Sequence, residues 1–257
     1  MSARPAPFAL VALLATLLSV SGARADEAPF PRVWVGVAGA LDFDALPPAQ
    51  DVCALGSTFR PSNTDGYYCT NPDGTDFPSR HSAAEAKTLL PGRAGYVGGG
   101  PVVGDTRIVA SLDYALRADL LVGLRAGFVT SGYNGSAAVH NGRAFDAPLH
   151  LEARATYLLG DAPLARLGFA PLALADAGVG EFDAGTTVQV RQSTIAGDRP
   201  KTAWITGGPF FVGAGGGFRY AFSSRLAATV TARFALALGR GGAFPTFAPE
   251  VGLQYGF

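Results

Sequence analysis

The chain has 257 residues, 48% of them hydrophobic, with 20 Lys and Arg against 20 Asp and Glu and therefore no formal net charge. That balance excludes the clustered basic surface of a nucleic-acid-binding protein, and beyond the N-terminal segment no stretch is long and apolar enough for a spanning helix. High apolar content without helical spans, together with 34 glycines, leaves two classes: a secreted β-sandwich or a β-barrel in an outer membrane.

The first element is an export signal. Arg4 precedes an uncharged apolar run from Phe8 to Val20, followed by Ser21, Gly22 and Ala23-Arg24-Ala25. The run falls short of the roughly 20 apolar residues of a spanning helix, and the small-residue site predicts cleavage before Asp26. Residues 1–25 read as a signal peptide and 26–257 as the exported protein.

Val33 to Leu41 then alternates as a strand does. A long, Pro- and Gly-rich first loop follows, Asp42 to Gly104, holding the two cysteines, Cys53 and Cys69. In an exported chain they predict a disulfide; without neighbouring histidines they make a poor metal site. Ser82-Ala83-Ala84-Glu85 is a capping box, which predicts a short helix from Ala83 to Leu90 ended by Pro91-Gly92. With Phe59, Tyr67, Tyr68 and Phe77, this loop has the material for an ordered cap.

From Asp105 one design repeats. Asp105 to Leu116 and Leu120 to Thr130 form a hairpin around Arg117-Ala118-Asp119; Leu149 to Leu158 and Leu164 to Ala175 form another around Gly160 to Pro163. A third runs from Phe210 to Leu238 around Ser223-Ser224, and Ala248 to Phe257 is the last strand. In each, apolar side chains alternate with polar or small ones. The remaining connections are long: Ser131 to Pro148, Asp176 to Gly208 and Gly239 to Phe247, besides the first loop. Within the third loop, Val188-Gln189-Val190 predicts that strand structure continues beyond the membrane.

Short turns at one end, long loops at the other and strands of about 9–12 residues are the pattern of a transmembrane barrel. The predicted fold is all-β: an eight-stranded antiparallel up-and-down barrel with long extracellular loops. Its apolar faces meet lipid, and Tyr114, Tyr157, Phe218, Tyr220, Phe222, Tyr255 and Phe257 form an aromatic girdle near the turn ends. The last strand, with Val251, Leu253, Tyr255 and Phe257 on one face, resembles the C-terminal signature of bacterial outer-membrane β-barrels. As architecture the exported chain resembles the small OmpA/OmpX-like barrels. That resemblance implies outer-membrane location, periplasmic termini, contact with outer-membrane lipids, and recognition of the last strand by the barrel-insertion machinery. It does not imply cell-wall anchoring, because no further domain follows the last strand.

The opposite faces carry Arg107, Asp113, Arg125, Glu152, Arg154, Arg219, Arg233 and Glu250, with Asp105 beside them. An arginine facing lipid at the bilayer midplane costs about 2–4 kcal/mol, so these residues point inward. Two readings follow: an ion-pair network that fills and stiffens the bore, or a narrow path for small polar solutes. A lipid-modifying enzyme is a third reading. It would need His150, beside Glu152, with a loop serine such as Ser131 or Ser136. No motif supports it, His81 and His140 fall in loops, and the runs Gly98 to Gly100 and Gly213 to Gly217 precede no capped helix. The expectation is a non-enzymatic structural or surface-interaction protein without cofactor or metal, meeting any extracellular ligand through its loops.

Overall fold

In this computed structural model, residues 30–54, 66–78, 87–131, 148–239 and 242–257 are described. Chain order begins with β1 (Val33–Leu46). The first loop contributes β2 (Ala49–Gln50), β3 (Tyr67–Thr70), β4 (Asp76–Phe77), β5 (Leu89–Ala94) and β6 (Tyr96–Val97). The barrel resumes with β7 (Gly100–Arg117), β8 (Leu120–Ser131), β9 (Leu149–Leu158) and β10 (Gly168–Gly180). β11 (Phe182–Gln192) and β12 (Asp198–Gly207) stand outside it as a hairpin, and β13 (Phe210–Ala221), β14 (Leu226–Gly239) and β15 (Gly242–Gly256) complete it.

The barrel is closed in the order β1-β15-β14-β13-β10-β9-β8-β7, each neighbouring pair antiparallel. β1 pairs with β7 at Trp34↔Asp113 and with β15 at Trp34↔Gly256, which leaves no edge at the closure. This is an eight-stranded antiparallel up-and-down transmembrane β-barrel.

Alternation decides the facing. On β7, Ile108, Leu112 and Tyr114 are exposed while Arg107, Val109, Asp113 and Ala115 are buried. The same holds around the ring, so that Leu124, Leu151, Phe169, Val212, Val230, Phe234 and Val251 all stand on the outer wall. A continuous apolar exterior of this extent has hydrocarbon as its solvent. Tyr114, Tyr157, Phe218, Tyr220, Phe222, Tyr255 and Phe257 are all exposed near the turn end, and Phe169 joins them. Inward glycines make room where strands crowd: a Cβ on Gly215 or Gly217 would lie about 2 Å from the carbonyl oxygen of Ala232 or Val230.

Several boundaries differ from the sequence-based expectation. β1 and β7 extend into the first loop to Leu46 and from Gly100, because alternation continues past Asp42 and Asp44. The fourth long loop does not exist. β14 and β15 stay paired as far as Gly239↔Gly242, and Pro245, which cannot donate to a ladder, lies beyond the last β1 partner, Asp44↔Thr246. β10 begins at Gly168 rather than Leu164; Leu164 lies in the turn, buried, and its N–H donates to the carbonyl of Ala118. Leu89 and Leu90, expected to end a helix, open strand β5 instead. The signal segment, Phe59, the capping box, His81, Ser136 and His140 lie outside the described residues.

The loop end carries a second sheet, five-stranded, in the order β4-β3-β12-β11-β5. Strands from the first loop flank the hairpin of the third on both sides. The Cys53–Cys69 disulfide joins these flanks, since Cys69 lies on β3 and the N–H of Cys53 donates to Ala94 at the end of β5. One face of the sheet buries Tyr67, Cys69, Ala184, Val188, Val190, Ala203 and Ile205 in an apolar core that reaches Phe182, Phe211 and Phe244. The β3–β4 turn, Asn71-Pro72-Asp73-Gly74, has the residues a tight turn needs, with Gly74 at φ 83°. Asp73 accepts from the Thr75 hydroxyl and N–H, which holds its carboxyl below the ordinary range.

A cross-link closing a loop with a sequence separation of 16 stabilises its fold by about 3 kcal/mol. Cys53→Ser with Cys69→Ser should therefore raise amide exchange in β3, β4 and β5 roughly 100-fold. Exchange in β7 to β10, within the barrel wall, should stay unchanged.

Candidate functional site

Side chains occupy the bore from the turn end to the loop end, around a small cavity. At the turn end Trp34, fully buried, packs with Leu121, Leu158, Leu164, Leu172 and Leu174, and its Nε1 donates to the carbonyl of Pro31. The Arg219 guanidinium lies 4.5 Å from the Trp34 ring centroid. Arg219 is buried with no carboxylate partner among the described residues, and its Nε lacks an acceptor. Above it lies a cavity of about 50 Å³ bordered by Ser111, Asp113, Thr229, Thr231 and Gln254. A space of that volume has room for a few waters, not for a solute path.

The middle of the bore is an ion-pair lattice with Glu152 at its hub. Arg125 (2.7 Å), Arg154 (2.9 Å) and Arg233 (2.7 Å) all reach its carboxylate, as does His150 Nε2 (2.8 Å). Glu250 takes Arg125 at 3.1 Å and Arg154 at 3.0 Å, and Arg154 also reaches Asp176 at 3.3 Å. β8, β9, β10, β14 and β15 each supply a member, so the lattice ties five staves of the barrel together.

Towards the loop end the network changes to aromatic rings and carboxylates. Arg107 pairs with Asp42 and donates to His150 Nδ1 at 2.6 Å, which fixes the His150 proton on Nε2, facing Glu152. His150 stacks on Phe211 at 4.5 Å, and Phe182, at the start of β11, packs edge-on to both rings. Thr246 donates to Asp44, Thr206 to Asp183, and the Asp183 N–H to Asp105. Among the described residues no set of three His, Cys, Asp or Glu side chains has metal-holding geometry. The third-loop hairpin thus enters the mouth and closes it.

The structure brings together Arg107, Arg125, Glu152, Arg154, Arg233 and Glu250, and sets Asp113 and Arg219 nearer the turn end beside the cavity. Asp42, Asp44, Asp176 and Asp183 complete the interior and were not singled out by the sequence. The signal was present in the alternation, since Asp42 and Asp44 continue the inward register of Ala40, and Asp176 that of Leu174. His150 uses both ring nitrogens inside the lattice, and Ser131 stands at the loop end of β8, beyond the Phe128↔Leu149 pair that ends its contact with β9. Val251, Leu253, Tyr255 and Phe257 are all exposed on the outer wall.

The other face of the cap sheet is polar and aromatic. Register places Tyr68, Trp204 and Gly185 in one row across β3, β12 and β11, and Thr70, Thr202 and Thr187 in the next. Trp204 lies over Gly185, where a Cβ would come within 2.8 Å of the ring, and its Nε1 donates to Thr70 Oγ1 at 3.1 Å. Thr187 and Gln189 are exposed beside it.

No protein-family model matches the chain, and no curated protein matches it significantly in sequence. Among solved structures it is similar to neisserial surface protein A, at 11% identity and TM-score 0.42 over 88% of this chain and 97% of that one. It is also similar to Ail, the attachment invasion locus protein of Yersinia pestis, at 8% identity and TM-score 0.36 over 88% and 100%. The Escherichia coli outer membrane protease OmpT aligns at 8% identity and TM-score 0.36 over 91% and 99%. A surface protein, an attachment protein and a protease share no one role, and at these identities none carries over.

Breaking a buried ion pair from one side costs about 3–5 kcal/mol. Glu152→Gln should lower the unfolding free energy by that amount in urea titrations of detergent-solubilised protein. Arg219→Met removes a buried charge that has no carboxylate partner, so the same titration should show stability unchanged or raised.

Proposed function

We propose that this chain is a non-enzymatic outer-membrane surface protein whose barrel is a pedestal and whose disulfide-tied cap sheet binds an extracellular partner. One observation carries the reading: two separate loops fold into a single sheet with its own buried core, above a bore packed along its length. Residues 1–25 act as the export signal in this reading, 26–257 as the barrel with its cap, and the outward face of Val251 to Phe257 as the signal read by the insertion machinery. A pore is disfavoured by Trp34 and its leucines at one end and by Phe182 and Phe211 at the other.

The binding surface belongs to β3, β12 and β11 jointly, so neither loop in isolation reproduces it. The full-length protein in vesicles should bind probes from an array of oligosaccharides and extracellular-matrix proteins. Thr202→Arg and Trp204→Ala should each weaken that binding at least tenfold while the barrel keeps its heat-modifiable gel mobility. Planar bilayers containing the wild-type protein should show no discrete conductance steps. Stable steps would overturn the sealed bore, and binding indifferent to both cap variants would overturn the cap as the working surface.

A further inference from the structure

The outer wall is recessed where β1 and β15 part. The β1–β15 ladder ends at Asp44↔Thr246, and above that point β1 with β7 and β15 with β14 continue as two separate ribbons. The fork between them is a groove of about 490 Å³, a volume typical of small-molecule sites. Phe43, Phe234 and Phe247 line it, their rings in contact at 6.3 and 4.8 Å, and Ala45, Pro101 and Pro245 border it as well.

Two features bear on what this recess holds. The polar residues at its edge, Asp44 and Thr246, are buried and hydrogen-bonded to each other, which leaves the groove an apolar surface. Its position follows from strand geometry: rising about 3.3 Å per residue at a tilt near 45°, β15 lifts Phe247 roughly 19 Å above Tyr255 in the lower girdle, within an apolar band about 25 Å tall. The groove therefore belongs to the lipid-facing surface and opens at the level of the leaflet nearest the cap.

We infer that this fork is a binding site for one acyl chain of a lipid in that leaflet. The surface around it already has hydrocarbon as solvent, so the occupant is drawn from the bilayer, and the recess touches a chain from both ribbons where the open wall touches it on one side. The added contact area sets this lipid apart from those that exchange freely along the barrel.

The test uses the full-length protein in micelles of an unbrominated detergent, with Phe247→Trp or Phe43→Trp as reporter in the groove and Phe128→Trp on the open wall. Trp34, buried in the bore, and Trp204, in the cap, are shielded from lipid and give a constant background. Titration with phosphatidylethanolamine brominated along its acyl chains should quench a groove reporter to a plateau at about one lipid per barrel. The Phe128→Trp signal should instead fall in proportion to the lipid content of the micelle. Adding Ala45→Trp to fill the recess should remove the plateau when its own emission is subtracted. Identical curves for groove and wall, a plateau indifferent to Ala45→Trp, or occupation of the groove by a second copy in sedimentation would each overturn the inference.

Discussion

A backbone N–H or C=O group in hydrocarbon has no water to turn to, and leaving it without a partner costs several kcal/mol. That constraint organises the molecule. It forces β1 to find β15 as well as β7, and a ring of eight strands has a bore narrow enough for side chains to fill. Alternate residues then have two destinations, lipid or one another. Large apolar residues cover the outside, and every arginine that the described barrel strands carry between their ends turns inward, where carboxylates from other strands meet all but Arg219.

The lattice is better understood as a register device than as a store of stability. Ion pairs buried on both sides recover little beyond the cost of removing them from water. A slip of one residue in any strand, however, exchanges its two faces. On β9 such a slip would send Glu152 and Arg154 into lipid, taking Glu152 from Arg125 and Arg233 and Arg154 from Glu250 and Asp176. Glu152, reached from two strands besides its own, by Arg125 of β8 and Arg233 of β14, and from its own strand by His150 and Arg154, makes the correct alignment of each depend on the others.

The barrel was legible because period two survives even where composition is unhelpful. The facing of Arg107, Arg125, Arg154, Arg219 and Arg233 could be read from their apolar neighbours alone, and the buried positions agree. What could not be read was where strands stop. Pro101 and Gly100, Gly242 and Pro245 have the chemistry of loops, yet they sit in strands because at that height each ribbon is free on one side and tolerates them, whereas Asp42 and Asp44 sit in a strand because their side chains turn into the bore. The cap was hidden for another reason. Val188-Gln189-Val190 announced a strand, but β5, which pairs with it, and β3, which pairs with its hairpin partner β12, come from far along the chain and have no local signature. At Leu89 and Leu90 pairing with β11 takes the place of the expected helix.

Rigidity of the cap follows from the order of its strands. The hairpin β11–β12 would be marginal alone, as isolated hairpins are in water. Here β3 lies against one side and β5 against the other, and the disulfide links β3 to the Cys53 backbone that hydrogen-bonds β5. The hairpin is thereby held from both flanks and, through Phe182 and Asp183, from the barrel mouth below. A sheet fixed on three sides would lose little conformational entropy on binding at its remaining face, so under the proposed function contacts to Trp204, Thr202 and Thr187 would go largely into affinity. The same residues on a free loop would first have to be ordered.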